Sequence, residues 1–297
     1  LRTLEPLPGL PNTQLLNANA LLYTTNTHGE GLIPVSLQVD GSAASGLLVV
    51  DAAGGLNPVA LFNTPHPAHP ELTPGGTWQG VDSQMMNDSG EILFVSRVTH
   101  PDGGFTSAYS LWLGSVDDPH NPRLLLSSAQ PVTIPGIGEV TPTWFNSPVL
   151  SSDGSVYVIV TYRSPPPDGI GTFESNFNVL CEVDRNTGDL KRLLGPANAY
   201  RFGAGVPGYP GSSLADIETS IVSTNDRLAM FVKFVDADGV TRRALIAEDR
   251  DGNLGTIAIE GTTITVNDIV PFEAEVATID FARSEEHTSE LQSLSHI

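Results

Sequence analysis

Acidic and amide side chains alternate in one short segment of this chain, DRDGN, where Asp249, Asp251 and Asn253 are separated by single residues. Oxygen ligands that alternate in this way converge on one ion in Ca²⁺-binding loops, which a bidentate Glu at the twelfth position completes. Glu260 stands at that position, but the sixth position, where such loops place a glycine, is Leu254. The sequence therefore predicts a candidate Ca²⁺ site, with a plain hairpin turn as the alternative, and no other cofactor.

Two of the three tryptophans lie in polar segments that contain glycine or proline, Trp78 in GGTWQG and Trp144 in TPTWFNS. The flat indole ring offers a large apolar face that stacks on a ligand or packs inside a core. Both segments lie between the repeats described below, at positions that look equivalent. Trp78 and Trp144 are therefore the candidate ligand-surface residues, with packing between repeats as the alternative. Trp112, in the apolar segment SLWLG, is expected in the core.

The remaining residues with catalytic or metal-binding chemistry form no complete motif. His66 and His69 are flanked by prolines, which prevent the helix that would put both on one face, so a solvated loop is expected. The single cysteine, Cys181, lies in the apolar segment NVLCEV and is expected to be a buried, inert thiol. The chain has no nucleophile elbow, P-loop or HExxH motif, and its catalytic residues, if any, stay unknown.

The charge of the chain excludes two classes of partner. Its 34 acidic residues against 14 Lys and Arg give a formal net charge of −20, and Lys191 and Lys233 are the only lysines. Nucleic acids and anionic membranes bind clustered Lys and Arg, which this sequence lacks. No run of about 18 apolar residues is present, so no transmembrane segment is expected in the visible chain. An unknown protein or carbohydrate is left as the ligand.

Short apolar segments separated by Gly, Pro, Asn and Asp run through the whole chain and predict β-strands. The 29 glycines and 23 prolines leave little room for long helices. A polar turn followed by a strand, and then a second hairpin, recurs with a period of roughly 65 to 75 residues. The four copies lie near residues 15–62, 85–127, 149–195 and 222–260.

Four copies of a four-stranded unit predict an all-β chain of the β-propeller class, because a small twisted sheet buries both its faces only by stacking on others. The propeller is expected to occupy residues 1–282 and to be incomplete, with the start of a fifth blade after Thr263. Tandem β-sandwiches are the competing architecture. Alternation within the repeat strands predicts six buried core residues: Ile92, Phe94, Val156, Val158, Met230 and Val232.

The recurring pattern of an apolar strand and then N-D-x-G-x-V-x-F resembles a bacterial family of extracellular β-propeller repeat proteins of unassigned activity, some with C-terminal sorting anchors. The segments that carry this resemblance best are residues 85–98, MMNDSGEILFVSRV, and residues 134–160, which include SSDGSVYVIV. The resemblance implies a location outside the cell or in the periplasm, with the signal peptide not visible. It supplies no catalytic residues.

Residues 283–293, RSEEHTSELQS, resemble the translation of a DNA-sequencing library adapter. We therefore expect residues 283–297 to be an artefactual tail on a fragment from environmental DNA. For the rest of the chain we expect a non-catalytic extracellular or cell-surface binding module. The alternative is a propeller enzyme that acts on polysaccharide as a glycoside hydrolase or lyase, with acids from the inner strands or the loops.

Overall fold

The computed structural model describes ten segments of the chain: residues 13–18, 24–69, 72, 75–99, 107–164, 175–194, 206–222, 227–249, 254–266 and 272–275. Within these segments the secondary structure consists of β-strands and turns, without a helix. The tail that begins at residue 283 lies outside them, and so do residues 223–226 of the fourth predicted copy.

The strands form antiparallel sheets in chain order. The first sheet contains β1 (Thr13–Ala18), β2 (Thr24–Thr25), β3 (Gly31–Val39), β4 (Ser42–Val50) and β5 (Leu56–Leu61). The second contains β6 (Trp78–Met86), β7 (Glu91–Thr99), β8 (Ser107–Ser115) and β9 (Arg123–Ser127). After the hairpin of β10 (Val132–Ile134) and β11 (Gly138–Val140), the third contains β12 (Pro142–Leu150), β13 (Val156–Ser164), β14 (Ser175–Val183) and β15 (Leu190–Leu194).

The fourth sheet contains β16 (Ser213–Val222), β17 (Leu228–Val235), β18 (Thr241–Glu248) and β19 (Leu254–Ile259), and the hairpin of β20 (Thr263–Val266) and β21 (Phe272–Glu275) follows it. In the second, third and fourth sheets each strand pairs with the next one along the chain. Successive four-stranded meanders of this kind are the blades of a β-propeller. The expected all-β, propeller-type fold is confirmed.

The chain divides into two compact units, one of residues 1–163 and 181–191 and one of residues 164–180 and 192–297. In the first unit, the facing sides of the first two sheets form an apolar core that includes Leu32, Leu47, Phe94 and Trp112. The six residues predicted to be buried are all at most 1% exposed: Ile92, Phe94, Val156, Val158, Met230 and Val232. The predicted alternation holds in β17, whereas in β7 and β13 intervening residues such as Leu93 and Ile159 are buried as well, because both faces of those strands are covered.

The turn that precedes β3 in the first sheet and the turn that precedes β7 in the second have the same geometry. In the second sheet, the Asn87 side-chain oxygen accepts a hydrogen bond from the Glu91 N–H at 2.9 Å, and Gly90 takes a φ of +75°. Asn26 and Glu30 repeat this geometry in the first sheet, where the corresponding distance is 3.0 Å. An Asn side chain that satisfies the turn's own N–H groups stabilises the turn locally.

This geometry corrects the position of the turn in the first predicted copy. The sequence pattern places the turn of the first copy at Asn17-Ala18-Asn19, whereas Asn17 and Ala18 belong to β1 and the turn lies at residues 26–30. The physical reason is the glycine: Gly29 takes a φ of +83° three residues after Asn26, and no glycine follows Asn17 at that spacing.

Neighbouring turns of the first unit are bonded to one another. The Thr27 N–H donates to Asp88 Oδ1 at 3.1 Å, which joins the first sheet to the second. Asn87 Nδ2 donates to the Ser151 carbonyl at 3.0 Å, which joins the second sheet to the third. The row of turns therefore connects the sheets at one end of their strands.

Candidate functional site

The first strand of each of the last three sheets is bulged near its beginning. The register between each first strand and its partner shifts twice in β6, β12 and β16, and the first shifts lie between Trp78 and Gly80, Pro142 and Trp144, and Leu214 and Asp216. A bulge adds an unpaired residue, bends the strand and redirects side chains, and bulges are common near functional sites. The side chains that follow these bulges are therefore candidates for a functional site.

A polar side chain just after the first bulge pairs with the second strand in all three sheets. Asp82 Oδ2 lies 3.3 Å from Arg97 Nε in the second sheet. Asn146 Nδ2 donates to Thr161 Oγ1 at 3.0 Å in the third, and Glu218 Oε1 lies 2.7 Å from Lys233 Nζ in the fourth. The pairing recurs across the sheets, whereas its charge and chemistry differ between them.

The same register shows that Trp78 and Trp144 are not equivalent. In the third sheet, Trp144 lies opposite Thr161 of the second strand. The residue of the second sheet that corresponds to Thr161 is Arg97, and Arg97 lies opposite Gly80. Trp78 instead matches Pro142, on the other side of the bulge. Because successive residues of a strand point to opposite faces, this offset sends the two indole rings to different environments.

Trp78 is a core residue, so its candidacy as a ligand-surface residue is corrected. It is 2% exposed, and its ring centroid lies 4.8 Å from that of Trp112 and 5.8 Å from that of Phe94. His66 packs edge-on at 5.8 Å and is 7% exposed, which contradicts the expectation of a solvated loop. The packing alternative applies to Trp78, and Trp112 lies in the core as expected. The prolines on both sides of His66 do not indicate, from the sequence, that its side chain is buried.

Trp144 is 37% exposed and stacks on a second aromatic side chain. Its ring centroid lies 4.2 Å from that of Tyr109, with 33° between the planes. Tyr109 in β8 lies directly opposite Arg97 in β7, so the aromatic pair adjoins the Asp82–Arg97 ion pair. We call these four residues, Asp82, Arg97, Tyr109 and Trp144, the Trp144 patch. The patch brings together residues of the second and third sheets within the first compact unit.

Gly80 leaves room for the arginine of this patch. It lies opposite Arg97 and has a φ of +152°, a conformation that side chains with a Cβ rarely adopt. A Cβ at this position would lie 2.9 Å from Arg97 Nη2. The missing side chain therefore lets the guanidinium lie over the first strand and reach Asp82. The bulge that permits this is not visible in the sequence TWQGVDS.

Burial raises the pKa of two side chains in the patch. The Asp82 side chain is 23% exposed, and burial raises its pKa above the ordinary 3.8 although Arg97 acts in the opposite direction. The pKa of Tyr109 is raised above 10.0, first by burial and then by the negative charge of Asp82. Tyr109 therefore remains a neutral phenol at physiological pH and both donates and accepts hydrogen bonds.

The corresponding place in the fourth sheet has a different character. Glu218 Oε1 there lies 2.7 Å from Lys233 Nζ and 3.2 Å from Arg243 Nη2. Asp216 stands where the third sheet has Trp144, and Asp216 Oδ1 accepts a hydrogen bond from Asn178 Nδ2 at 2.7 Å. The negative charges of two acids balance the positive charges of Lys233 and Arg243 in this cluster. The fourth sheet therefore has the bulge but, at this place, no aromatic pair like that of Tyr109 and Trp144.

A shallow cavity of about 200 Å³ lies at the other end of the strands, lined by residues 153–155 and 182–186. Its arginine, Arg185, forms an ion pair with Glu91 of the second sheet and contacts the Gly154 carbonyl. Hydrogen bonds from Ser151 and the Ser155 N–H lower the pKa of Asp153. These contacts hold turns of adjacent sheets together, and the cavity contains no exposed aromatic ring.

The candidate Ca²⁺ site falls largely outside the described residues. Asp249 is exposed, whereas Asp251 and Asn253 are not among the residues that the structure describes. Within the described part of the chain, no group of three or more His, Cys, Asp or Glu side chains could hold a metal ion. The Ca²⁺ site stays a prediction. Cys181 is buried, as expected. No described helix has the length and hydropathy of a membrane span.

The model of the family of unknown function DUF7453 matches residues 2–294 of this chain. Solved structures with similar folds include a Dyadobacter fermentans protein of unknown function, with a TM-score of 0.41 and 12% identity over 86% of this chain and 76% of that one. An endo-arabinase from Bacteroides thetaiotaomicron aligns with a TM-score of 0.36 and 8% identity over 87% and 94% of the two chains. A glycosyl hydrolase from Bacteroides ovatus gives 0.36 and 10% over 82% and 70%. No curated protein matches the chain.

Proposed function

The chain belongs to DUF7453, a family of unknown function, and from the chain's own surface we propose that it is a non-catalytic ligand-binding propeller module. The observation that carries this proposal is the exposed Trp144 ring, which is backed by Tyr109 and adjoined by the Asp82–Arg97 ion pair. Aromatic and arginine side chains are the residues that most often anchor bound partners. The patch combines both on rigid strands.

The contrast with the rest of the surface supports this site. Trp144, Val240 and Ile257 are the exposed large apolar side chains among the described residues, and Trp144 is the aromatic one. An exposed indole loses little solvation when a flat ligand covers it, and its two χ angles limit the entropy lost on binding. Side chains that are stacked in advance lose less freedom than mobile ones, which favours binding at this place.

We propose that the protein works outside the bacterial cytoplasm, either in the periplasm or outside the cell, including attachment at the cell surface. The acidic composition, with a formal net charge of −20 and two lysines, suits a soluble exterior protein. Fractionation of a bacterium that expresses the full gene with an epitope tag checks this location. Recovery of the tagged protein in the cytosolic fraction alone would contradict it.

The binding function is tested on arrays of immobilised glycans and of cell-wall and extracellular-matrix proteins. The wild-type chain and Ile257→Ala, which truncates an exposed apolar residue of the fourth sheet, are expected to bind the same ligand. Trp144→Ala is expected to lose that binding while it unfolds at the wild-type temperature. A ligand bound equally well by Trp144→Ala would show that the patch is not the binding site.

A second candidate function, hydrolysis of a glycan, is favoured by one observation. Burial raises the pKa of Asp82, and a carboxylic acid with a raised pKa is suited to protonate a leaving group. Glycoside hydrolysis generally needs two carboxylates, and the Trp144 patch as defined contains one. Release of reducing ends from a polysaccharide by the wild type, abolished in Asp82→Asn, would replace the binding function with this one.

A further inference from the structure

The stacking surface of the Trp144 patch has the form that a pyranose or furanose ring requires. Tyr109 supports the indole at 4.2 Å, and 37% of Trp144 remains exposed. The face of an aromatic ring is electron-rich, so it attracts the weakly positive C–H groups that line one side of a sugar. A sugar ring has about the dimensions of the indole and covers it without displacing Tyr109.

The polar side chains beside this surface supply both kinds of hydrogen-bonding group. The Asp82 carboxylate accepts hydrogen bonds, whereas the Arg97 guanidinium donates them through nitrogens other than the Nε that lies 3.3 Å from Asp82. Each hydroxyl of a sugar donates one hydrogen bond and accepts others, so two adjacent hydroxyls match an acceptor next to a donor. Tyr109, a neutral phenol at physiological pH, adds a group that does both.

The charge of the protein argues against an acidic ligand. The formal net charge is −20, so a polyanion is repelled as it approaches. Within the patch the charge of Arg97 is already balanced by that of Asp82 at 3.3 Å. A second carboxylate on Arg97 would have to compete with Asp82, whereas neutral hydroxyls can use the pair as it stands.

Resting on the proposed binding function, we infer that the ligand of the Trp144 patch is a neutral polysaccharide. One sugar ring stacks on Trp144, and two adjacent hydroxyls of the chain bind the Asp82–Arg97 pair. Trp144 is exposed, and the patch spans strands of two neighbouring sheets, which suits an internal unit of a polymer.

Isothermal titration calorimetry with defined oligosaccharides tests this inference. The neutral probes are the hexasaccharides of cellulose, xylan, mannan and arabinan, and the acidic probe is hexagalacturonate. At least one neutral probe is expected to bind the wild type and Ile257→Ala equally, with an affinity that changes little with salt. Trp144→Ala is expected to weaken that binding by about tenfold or more, and Trp144→Phe by less, because a smaller ring still stacks. Asp82→Asn is expected to weaken it as well.

The outcomes separate the inference from the function on which it rests. Binding of hexagalacturonate alone, lost in Trp144→Ala, would overturn the neutral ligand and leave the patch as a binding site. Failure of all four neutral probes to bind the wild type would overturn the inference as well, and the arrays would then decide the function independently. A neutral probe that bound Trp144→Ala and the wild type equally would overturn both.

Discussion

Asp82 and Asp236 show how differently two carboxylates use the same fold. Burial raises the pKa of Asp82, so its ionised form is less favourable in the folded chain than in the unfolded one. The pKa of Asp236 is lowered, first by its hydrogen bond from Arg242 Nε and then by the N–H groups of Val240 and Asp238. Residues that lower the stability of the folded chain are common at functional sites, which fits the position of Asp82 in the patch. Asp236, in contrast, stabilises the hairpin between β17 and β18.

Asp82→Asn is expected to leave the free energy of unfolding unchanged or to raise it by up to about 1 kcal/mol at neutral pH. The ionised carboxylate costs stability above its folded pKa, and this cost is absent below its unfolded pKa near 3.8. The advantage of the variant therefore appears at neutral pH and disappears as the pH falls towards that value. Asn146 at the matching place in the third sheet shows that the bulge accommodates an amide. Urea unfolding across a pH series measures this effect.

Loss of more than about 1 kcal/mol in Asp82→Asn at neutral pH would contradict this account. It would mean that the attraction of Arg97 outweighs the effect of burial and that the ion pair is structural.

Asp236→Ala is expected to lower the free energy of unfolding at neutral pH, and by more than Asp238→Ala does, because three donors lose their acceptor. Those donors are Arg242 Nε at 2.7 Å, the Val240 N–H at 2.9 Å and the Asp238 N–H at 3.0 Å. Because the folded pKa is lowered, this contribution is complete above the ordinary value of 3.8 and is lost as the pH falls through the folded pKa.

Urea unfolding at about pH 7 and about pH 3 measures the difference between Asp236→Ala and the wild type. The difference is expected to narrow at the lower pH. Asp238→Ala, an exposed change in the same hairpin, is the control and is expected to stay within about 0.5 kcal/mol of the wild type. A loss in Asp236→Ala that did not depend on pH would show that its charge plays no part.

At the scale of elements, the turns and the bulges have different roles. The turns after the first strands of the first unit bond to one another, through Thr27 and Asp88 and through Asn87 and Ser151. The bulges lie at the other end of the same strands and direct side chains such as Asp82 and Trp144. The bonds between turns and the proposed binding site therefore lie at opposite ends of the strands, so residues of the site can be changed without breaking the bonds between the turns.

Asn87→Ala is expected to lower the free energy of unfolding by about 2–4 kcal/mol, since Asn87 is buried and bonds its own turn and the next sheet. Its side chain accepts from the Glu91 N–H at 2.9 Å and donates to the Ser151 carbonyl at 3.0 Å. Ser89→Ala, at an exposed position in the same turn, is the control and is expected to cost about 0.5 kcal/mol or less. Equal losses in the two variants, measured by urea unfolding, would show that the bond between sheets contributes nothing.

At the scale of the whole molecule, the excess of acids restricts what the surface can bind. Some of these acids are neutralised locally, as Glu182 is by Lys191 within the third sheet and Glu91 by Arg185 between adjacent sheets. The remaining acids leave a field that repels polyanions and favours solubility. The matched family model covers residues 2–294, and thus most of the segment after residue 282.

Deletion of residues 283–297 is expected to leave the midpoint of thermal unfolding unchanged within experimental error. This segment contains only three large apolar side chains, at 291, 294 and 297, and offers little surface to bury. Differential scanning calorimetry of the full chain and of the chain ending at residue 282 checks this expectation. A fall of several degrees would show that the segment packs on the fold.

The sequence by itself determined the fold class and the buried residues. Apolar segments between turns are a local property of the sequence, so Phe94, Val158 and Val232 could be placed in a core without knowing what covers them. Burial of the intervening Leu93 and Ile159 depends on packing against both faces of the sheet, which the local pattern does not contain. Asn-Asp-Gly turns are local as well, because side chain and backbone bond within five residues. The turn of the first copy was misplaced because a turn of this type needs a glycine three residues after its Asn, which Asn26 has and Asn17 lacks.

Only the tertiary structure decided which tryptophan faces solvent. Trp78 and Trp144 look alike in sequence, but Trp78 corresponds in register to Pro142, and Trp144 corresponds to Gly80. The bulge between these two positions adds one residue and thereby exchanges the faces of the strand. The contact of Trp144 with Tyr109 joins residues of two sheets that are distant along the chain. Such pairings depend on how sheets stack, and the local pattern of either strand contains no information about them.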